Sequence, residues 1–207
     1  TPGQIQSALI TTAYSNIINH DHVSSTTPLD RGNGRIQVAL AANAGLVMDE
    51  NGDNFWDSIG TDGETISALN VPSMANTNCV VSCSWTRTFS NTLGSAFTWN
   101  VTSASSLLSA TPSSFTIPAY GTQTITFTLD VSAQPLNEYV FERAIFTDVG
   151  GILPNTTLSV AALARANNIP QLQDIESQVG VLNADLTPAS AKYTNAEVTV
   201  IGLSKAE

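Results

Sequence analysis

Along residues 1–49 the apolar positions recur at helical spacing. Ile5, Ala8, Leu9, Thr12 and Ala13 make one stripe, and Ile10, Tyr14 and Ile17 a second. Thr1, Pro2 and Gln4 read as a helix start: a hydroxyl cap, proline at the first helical position and glutamine at the third. A loop with Pro28, Gly32 and Gly34 follows. A short helix is then expected over Val38 to Ala44, with Gly45 as the left-handed residue that ends it. A helix that is apolar on two faces belongs inside a larger body. Three outcomes are open for this segment: packing back on the rest of the chain, pairing with a second copy, or disorder. Pairing is the expected one.

From residue 76 to 165 the period changes from helical to two. Phe97, Trp99 and Val101 alternate with polar residues, as do Ile125, Phe127, Leu129 and Val131. Short alternating runs broken by turn residues predict an antiparallel β-sandwich. Between the two regions, residues 50–75 read as an acidic, glycine-rich connector. Near the end of the chain, Leu172, Ile175, Val179, Leu182 and Leu186 fit a helical stripe interrupted by Gly180, and Ala196 to Leu203 reads as a strand. The expected division is 1–66, 67–166 and 167–207, the last a tail or the start of a further β module.

Composition narrows the function classes. The 207-residue chain carries a formal net charge of -10 with only 7 Lys and Arg. No basic cluster is available for nucleic acid or for an anionic membrane surface. No apolar run approaches the ~20 residues that span a bilayer. The opening TPGQIQSAL lacks the basic and apolar regions of a secretion signal, so Thr1 reads as an internal cut. Cys79 and Cys83 could form a disulfide, half of a zinc site, or two free thiols. His20 and His22 lie far off in sequence, and the disulfide is the first choice, which points to an oxidising compartment. It requires a bend through Val80, Val81 and Ser82, because four residues of strand would span about 13 Å.

The opening Thr1-Pro2-Gly3-Gln4-Ile5-Gln6-Ser7-Ala8-Leu9-Ile10-Thr11-Thr12-Ala13 resembles the helix that follows the nucleophile's helix in subtilisin-like serine proteases. Gly32, Gly34, Ile36, Ala39, Leu40 and then Gly45-Leu46-Val47-Met48-Asp49 match the family's next elements in order and spacing. Gln37 replaces the usual Asn or Asp cap, which weakens it, and Met48 replaces a frequent Tyr. Cys83-Ser84-Trp85-Thr86-Arg87-Thr88, Thr111-Pro112-Ser113-Ser114-Phe115 and Tyr139-Val140-Phe141 resemble the fibronectin type III-like domain that follows the protease in large members. The resemblance implies a mainly β chain, with a short α-helical segment left from an α/β catalytic domain. It also implies that the catalytic Asp, His and Ser and the oxyanion-hole Asn belong upstream of Thr1, so this chain has no catalytic residues of its own. Its partners would be the missing catalytic domain and the protein substrate of the parent, in an extracellular setting, with no cofactor.

The chain's own candidate sites are weak beside this. Asp49, Asn51, Asp53 and Asp57 have the alternation of a calcium loop, but Asn54 and Gly60 stand where an EF-hand needs Gly and Glu. A solvated acidic linker is the expected reading, with no metal. His20-Asp21-His22 in a polar loop, and Gly32-Asn33-Gly34 without a long glycine fingerprint, carry no chemistry. Trp85, Phe97 and Trp99 are expected in the sandwich core rather than in a ligand groove. Asn100-Val101-Thr102 and Asn155-Thr156-Thr157 are glycosylation sequons that matter only in a glycosylating host. A free-standing extracellular binding or adhesion module is the alternative function class. It gives no reason for two protease-like helices.

Overall fold

The computed structural model describes residues 1–59 and 63–166. The readings of residues 167–207 lie outside the described residues. The helical part begins where the sequence places it. Helix α1 spans Pro2–Thr11 behind a reciprocal cap: the Gln4 backbone N–H donates to Thr1 Oγ1 at 3.1 Å, and the Thr1 amine donates to Gln4 Oε1 at 3.0 Å. A second short helix, α2 (Pro28–Arg31), stands where a loop was expected. Its cause is local: Pro28 opens it, and both the N–H and the hydroxyl of Thr27 donate to Asp30 Oδ2 at 2.8 Å. Helix α3 covers Val38–Ala41 and is uncapped by the Gln37 side chain.

The acidic connector is not a linker. It folds into α4 (Gly52–Asp57) and α5 (Gly63–Ala68). The Asn51 side chain accepts the Asn54 N–H at 2.7 Å and caps α4, which the alternation of acidic residues concealed.

Eight strands follow: β1 (Ser73–Val80), β2 (Ser82–Ser90), β3 (Phe97–Ser103), β4 (Leu108–Thr111), β5 (Ser114–Ile117), β6 (Thr122–Asp130), β7 (Tyr139–Asp148) and β8 (Thr156–Arg165). They hydrogen-bond in the order β4-β6-β2-β1-β8-β7-β3-β5 and fold over at β1 into a two-layer sandwich. Phe89 and Phe127 from one layer meet Phe146 of the other at ring centroids 4.7 and 6.1 Å apart. Trp99, Ile125, Phe127, Leu129 and Val131 are buried, as their alternation predicted. The pairing is antiparallel with one exception: β1 runs parallel to β8, Ser73 beside Ser159. The outer face of the β4-β6-β2 layer is a lattice of hydroxyls, with Thr86 opposite Thr126 and Thr88 opposite Thr124. The last pair are hydrogen-bonded at 2.9 Å.

Cys79 and Cys83 form the expected disulfide across the β1–β2 hairpin, with Cα atoms 5.4 Å apart. The bend is achieved at Val81, whose φ is 61°, between the paired residues Val80 and Ser82.

Gly45 does something other than end α3. Its φ is not left-handed. It is buried, and a Cβ there would lie 2.3 Å from Leu153 Cδ1 and 2.9 Å from Trp99 Cζ2. The stretch Ala44 to Met48 is wholly buried, Leu46 and Met48 join the sandwich core, and Val47 pairs with Ser90 of β2. Glycine is there for close approach to the indole, not for a turn. Leu153 is only partly buried, whereas the Trp99 ring is fully enclosed. Gly45→Ala is therefore expected to cost about 1–3 kcal/mol of stability, read as a lower urea midpoint with an unchanged slope.

Candidate functional site

The functional candidate is the junction between the helices and the sandwich, because the buried Ser7, Thr11, Asn33, Arg87 and Ser159 lie there. Three short segments meet: the end of the helical part, the α5–β1 connection, and β2. The alternation of β2 turns Trp85, Arg87 and Phe89 inward, so a guanidinium enters the interior between two aromatic residues. Arg87 is 1% exposed. Its Nε donates to Val71 O at 3.0 Å, and its two terminal nitrogens donate to Ser67 O at 3.0 Å, Thr86 O at 2.8 Å and Ser73 O at 2.8 Å. Trp85 Nε1 donates to Ala75 O at 3.2 Å. The carbonyls of residues 71, 73 and 75 are the ones a neighbouring strand would satisfy. Since β1 pairs with β2 only at the hairpin end, side chains of β2 supply the missing donors. Burial pushes Arg87 down to about 10, with Glu50 working the other way. It remains a cation at neutral pH.

Asparagines tie the helical part to the same place. Asn70 Nδ2 donates to Asp49 O at 3.0 Å and Thr88 O at 2.9 Å, and its Oδ1 accepts the Thr88 N–H at 2.8 Å. Asn33 Nδ2 donates to Ile10 O at 2.7 Å and Thr157 O at 2.8 Å, while Ser159 Oγ donates to Asn33 Oδ1 at 2.5 Å. Thr157 Oγ1 donates to Thr11 O at 3.1 Å, and Met48 N–H donates to Ser7 Oγ at 2.9 Å. The face of α1 that turns inward is thus small and polar: Ser7, Ala8 and Thr11 are buried. Of the two apolar stripes read from the sequence, Ala8 and Thr12 turn inward but the large side chains do not. Ile5 is 65% exposed, Tyr14, Ile18, Ile36 and Val38 are also exposed, and Leu9 and Ile10 are only partly covered.

The calcium candidates do not converge. Asp49 accepts the Thr1 hydroxyl at 2.6 Å, Asn51 caps α4, Asp53 lies in the first turn of α4 and Asp57 at its end. Among the described residues, no group of three or more His, Cys, Asp or Glu side chains could hold a metal ion. No helix there is long and apolar enough to cross a membrane. His20 and His22 sit exposed in their loop.

Arg87 and Asp148 were missed in the sequence. Arg87 had a signal, an inward position in the alternation Trp85–Arg87–Phe89. Asp148 had the Asp-x-Gly-Gly of a turn. Its carboxylate accepts the N–H groups of Gly150, Ile152 and Leu153 at 3.0, 2.9 and 3.1 Å, and so fixes Leu153 against Gly45. Burial works to raise its pKa, but the three donors outweigh burial and hold the carboxyl below its ordinary value.

No protein-family model matches the chain, and no curated protein matches it. Solved structures match part of it. The CupB2 chaperone of Pseudomonas aeruginosa is 12% identical over 43% of this chain and 52% of its own, with a TM-score of 0.34. The E. coli chaperone DraB is 9% identical over 44% and 58%, with a TM-score of 0.35. SSP-19 of Caenorhabditis elegans, an MSP-domain protein like family member, is 13% identical over 44% and 94%, with a TM-score of 0.34. The match thus spans little more than half the length of either chaperone.

Two outcomes are expected at the junction. Arg87→Lys keeps the charge but cannot present a fork to several carbonyls, and should lose about 2–4 kcal/mol in urea unfolding. For Asp148 the folded pKa lies below the unfolded one. Its stabilisation is therefore complete above the unfolded value of about 4 and is lost as pH falls through the folded value. Asp148→Asn should lower the urea midpoint at neutral pH and flatten its decline below about pH 4.

Proposed function

We propose that this chain is the C-terminal part of a secreted subtilisin-like serine endopeptidase: the last segment of the catalytic domain, fused to an accessory sandwich. The chain itself is not an enzyme. The observation that carries the reading is the one-sided burial of residues 1–49. Apart from Leu46, Val47 and Met48, the segment turns mainly small side chains inward and leaves Ile5, Tyr14, Ile18, Val23, Ile36 and Val38 exposed. Each such side chain forfeits roughly 1.5–3 kcal/mol by staying in water. A surface of this kind is the inner face of a larger body. In the parent that body is the α/β catalytic core, which would carry the triad upstream of Thr1. The order Thr-Pro-x-x-Ile, Gly-x-Gly and Gly-Leu-Val-Met-Asp supports the same reading.

On this reading the sandwich braces the catalytic domain from behind. The Gly45–Asp49 stretch, the last of the protease-like motifs, has its middle residues in the sandwich core, so the two parts share one interior. The parent's protein substrate is met by the upstream body, with the sandwich supporting its cleft. The setting is extracellular, in keeping with the disulfide. Without its upstream body the chain has an apolar surface on which two copies would pair, as an effect of truncation.

The test is the coding sequence that precedes Thr1. A Gly-Thr-Ser-Met-Ala motif a short distance upstream is expected, and its absence sinks the proposal. The isolated chain should cleave no peptide bond, and a serine-directed fluorophosphonate should label none of its serines.

A further inference from the structure

The two outer faces of the sandwich differ in kind. On β2 and β6 the outward positions include Thr86, Thr88, Thr124, Thr126 and Thr128, as suits a face open to water. On the β7–β8 pair the outward positions turn apolar beyond the helices. Arg143 and Ser159, directly opposite each other, are held by the helical part: Arg143 donates to Ser15 Oγ, and Ser159 Oγ donates to Asn33 Oδ1 at 2.5 Å. Next come Phe141 opposite Ala161, and then Tyr139 opposite Leu163. Tyr139 is 41% exposed, and Phe141 and Leu163 are half-buried. The Tyr139 and Phe141 rings stack on each other, with centroids 5.7 Å apart.

This strip opens at one end into a groove of about 600 Å³ between the sheet and the helices. Ala161 belongs to both, and Ile10, Leu29, Phe55, Pro72 and Met74 line more of the groove. Among the described residues, none that lines it is charged. Strip and groove together suit an occupant that is apolar and brings no charge with it. The sequence of β8 says the same. Leu158 to Ala164 reads Leu-Ser-Val-Ala-Ala-Leu-Ala, the near-continuous run of a strand covered on both faces, not the alternation of a strand with one wet side.

The chain leaves β8 at the other end of the strip. Arg165 follows Leu163 on the same face and donates to Asn137 Oδ1 at 2.6 Å. From Arg165 back to Ala161 is about 13 Å of strand. The sequence that follows carries Leu172, Ile175, Val179, Leu182 and Leu186 at helical spacing, and Asp174, Glu176 and Asp185 fall off that stripe. On a helix the stripe is about 21 Å long, and residues 166–171 reach up to about 20 Å, enough to turn the chain back along the strip. We propose that residues 172–186 of this same chain cover the strip and enter the groove, laying their apolar stripe on Tyr139, Phe141, Ala161 and Leu163. So short a tether holds the segment at millimolar local concentration, which favours it over a second copy or a free peptide of equal apolarity.

The experiment records methyl and aromatic NOEs on the full chain, in a mixture of ¹³C-labelled and unlabelled molecules. The methyls of Ala161 and Leu163 and the ring of Phe141 should show NOEs to methyls of Ile175, Val179 or Leu182 within one labelled molecule. The double substitution Ile175→Asp with Val179→Asp should abolish them and shift the Ala161 and Leu163 methyl signals, while those of Leu108 and Leu129 in the sandwich core stay in place. The NOEs of the unaltered chain decide the matter even if the variant behaves poorly. No NOE to residues 172–186, NOEs found only between labelled and unlabelled molecules, contacts made by residues 187–207 alone, or methyl signals unmoved by the double substitution would each overturn the proposal. Failure here leaves the protease reading untouched, since the coding sequence before Thr1 tests that reading separately.

Discussion

Everything in the fold hangs on a seam that the backbone leaves open. Where β1 crosses from one layer to the other it cannot pair with β2, except at the disulfide-closed hairpin. Three consecutive outward-facing carbonyls, at residues 71, 73 and 75, would otherwise be orphaned in the interior. Arg87 and Trp85 of β2 take the place of a strand there. A guanidinium suits the task because its donors are fixed in one plane and can serve several acceptors at once. Burying a cation is costly. The cost is offset by four carbonyls whose dipoles point at it, and that arrangement holds only while residues 67–73 stay where they are. The charge thus locks the connection between the helical part and the sandwich.

That lock explains why the helices belong to the sandwich although their outer faces face water. Asn70 bridges Asp49 and Thr88, and Asn33 bridges α1 and β8. These contacts are directional and few, so they fix orientation more than they bury area. The apolar contribution comes from Leu46 and Met48, which are laid into the sandwich core itself, and from Val47, which packs with Ala8 and Ala44. The helical part therefore has two different interfaces. One is polar and specific, toward the sandwich. The other leaves Ile5, Tyr14, Ile36 and Val38 open to water, and on the proposed reading it belongs to a catalytic body.

Much of the architecture was legible in the sequence. The capping box of α1 rests on Thr1 and Gln4, three positions apart, and needs no tertiary help. The strands were readable because Ile125, Phe127, Leu129 and Val131 obey the period of two. The hairpin disulfide followed from how little chain separates the cysteines. Other features were hidden for physical reasons. The connector's acidic alternation masked a helix whose signal is Asn51 as a cap. The glycine at position 45 looks the same in sequence whether it turns the chain or admits an indole; only the position of Trp99, over fifty residues away, decides it. The stripes of α1 misled in part: Ala8 and Thr12 do turn inward, but Ile5 and Tyr14 do not, because the contact side is made of small residues. The parallel β1–β8 pair left no local trace, since register between strands so far apart in sequence is set by how the layers close.

The lattice of Thr and Ser on the outer face of the β4-β6-β2 layer has its own consequence. Thr86, Thr88, Thr124, Thr126 and Thr128 carry no titratable group, and the cross-strand hydroxyl pair at Thr88 and Thr124 is the same whatever the acidity. Apart from Asp130 at the end of β6, that lattice is hydrated alike in acid and in alkali and offers salt no charge to screen. Elsewhere the molecule's surface changes with every carboxylate that takes up a proton, but this side stays constant, and it keeps the sandwich wettable near the sequence pI of about 4.3, where net charge no longer holds molecules apart.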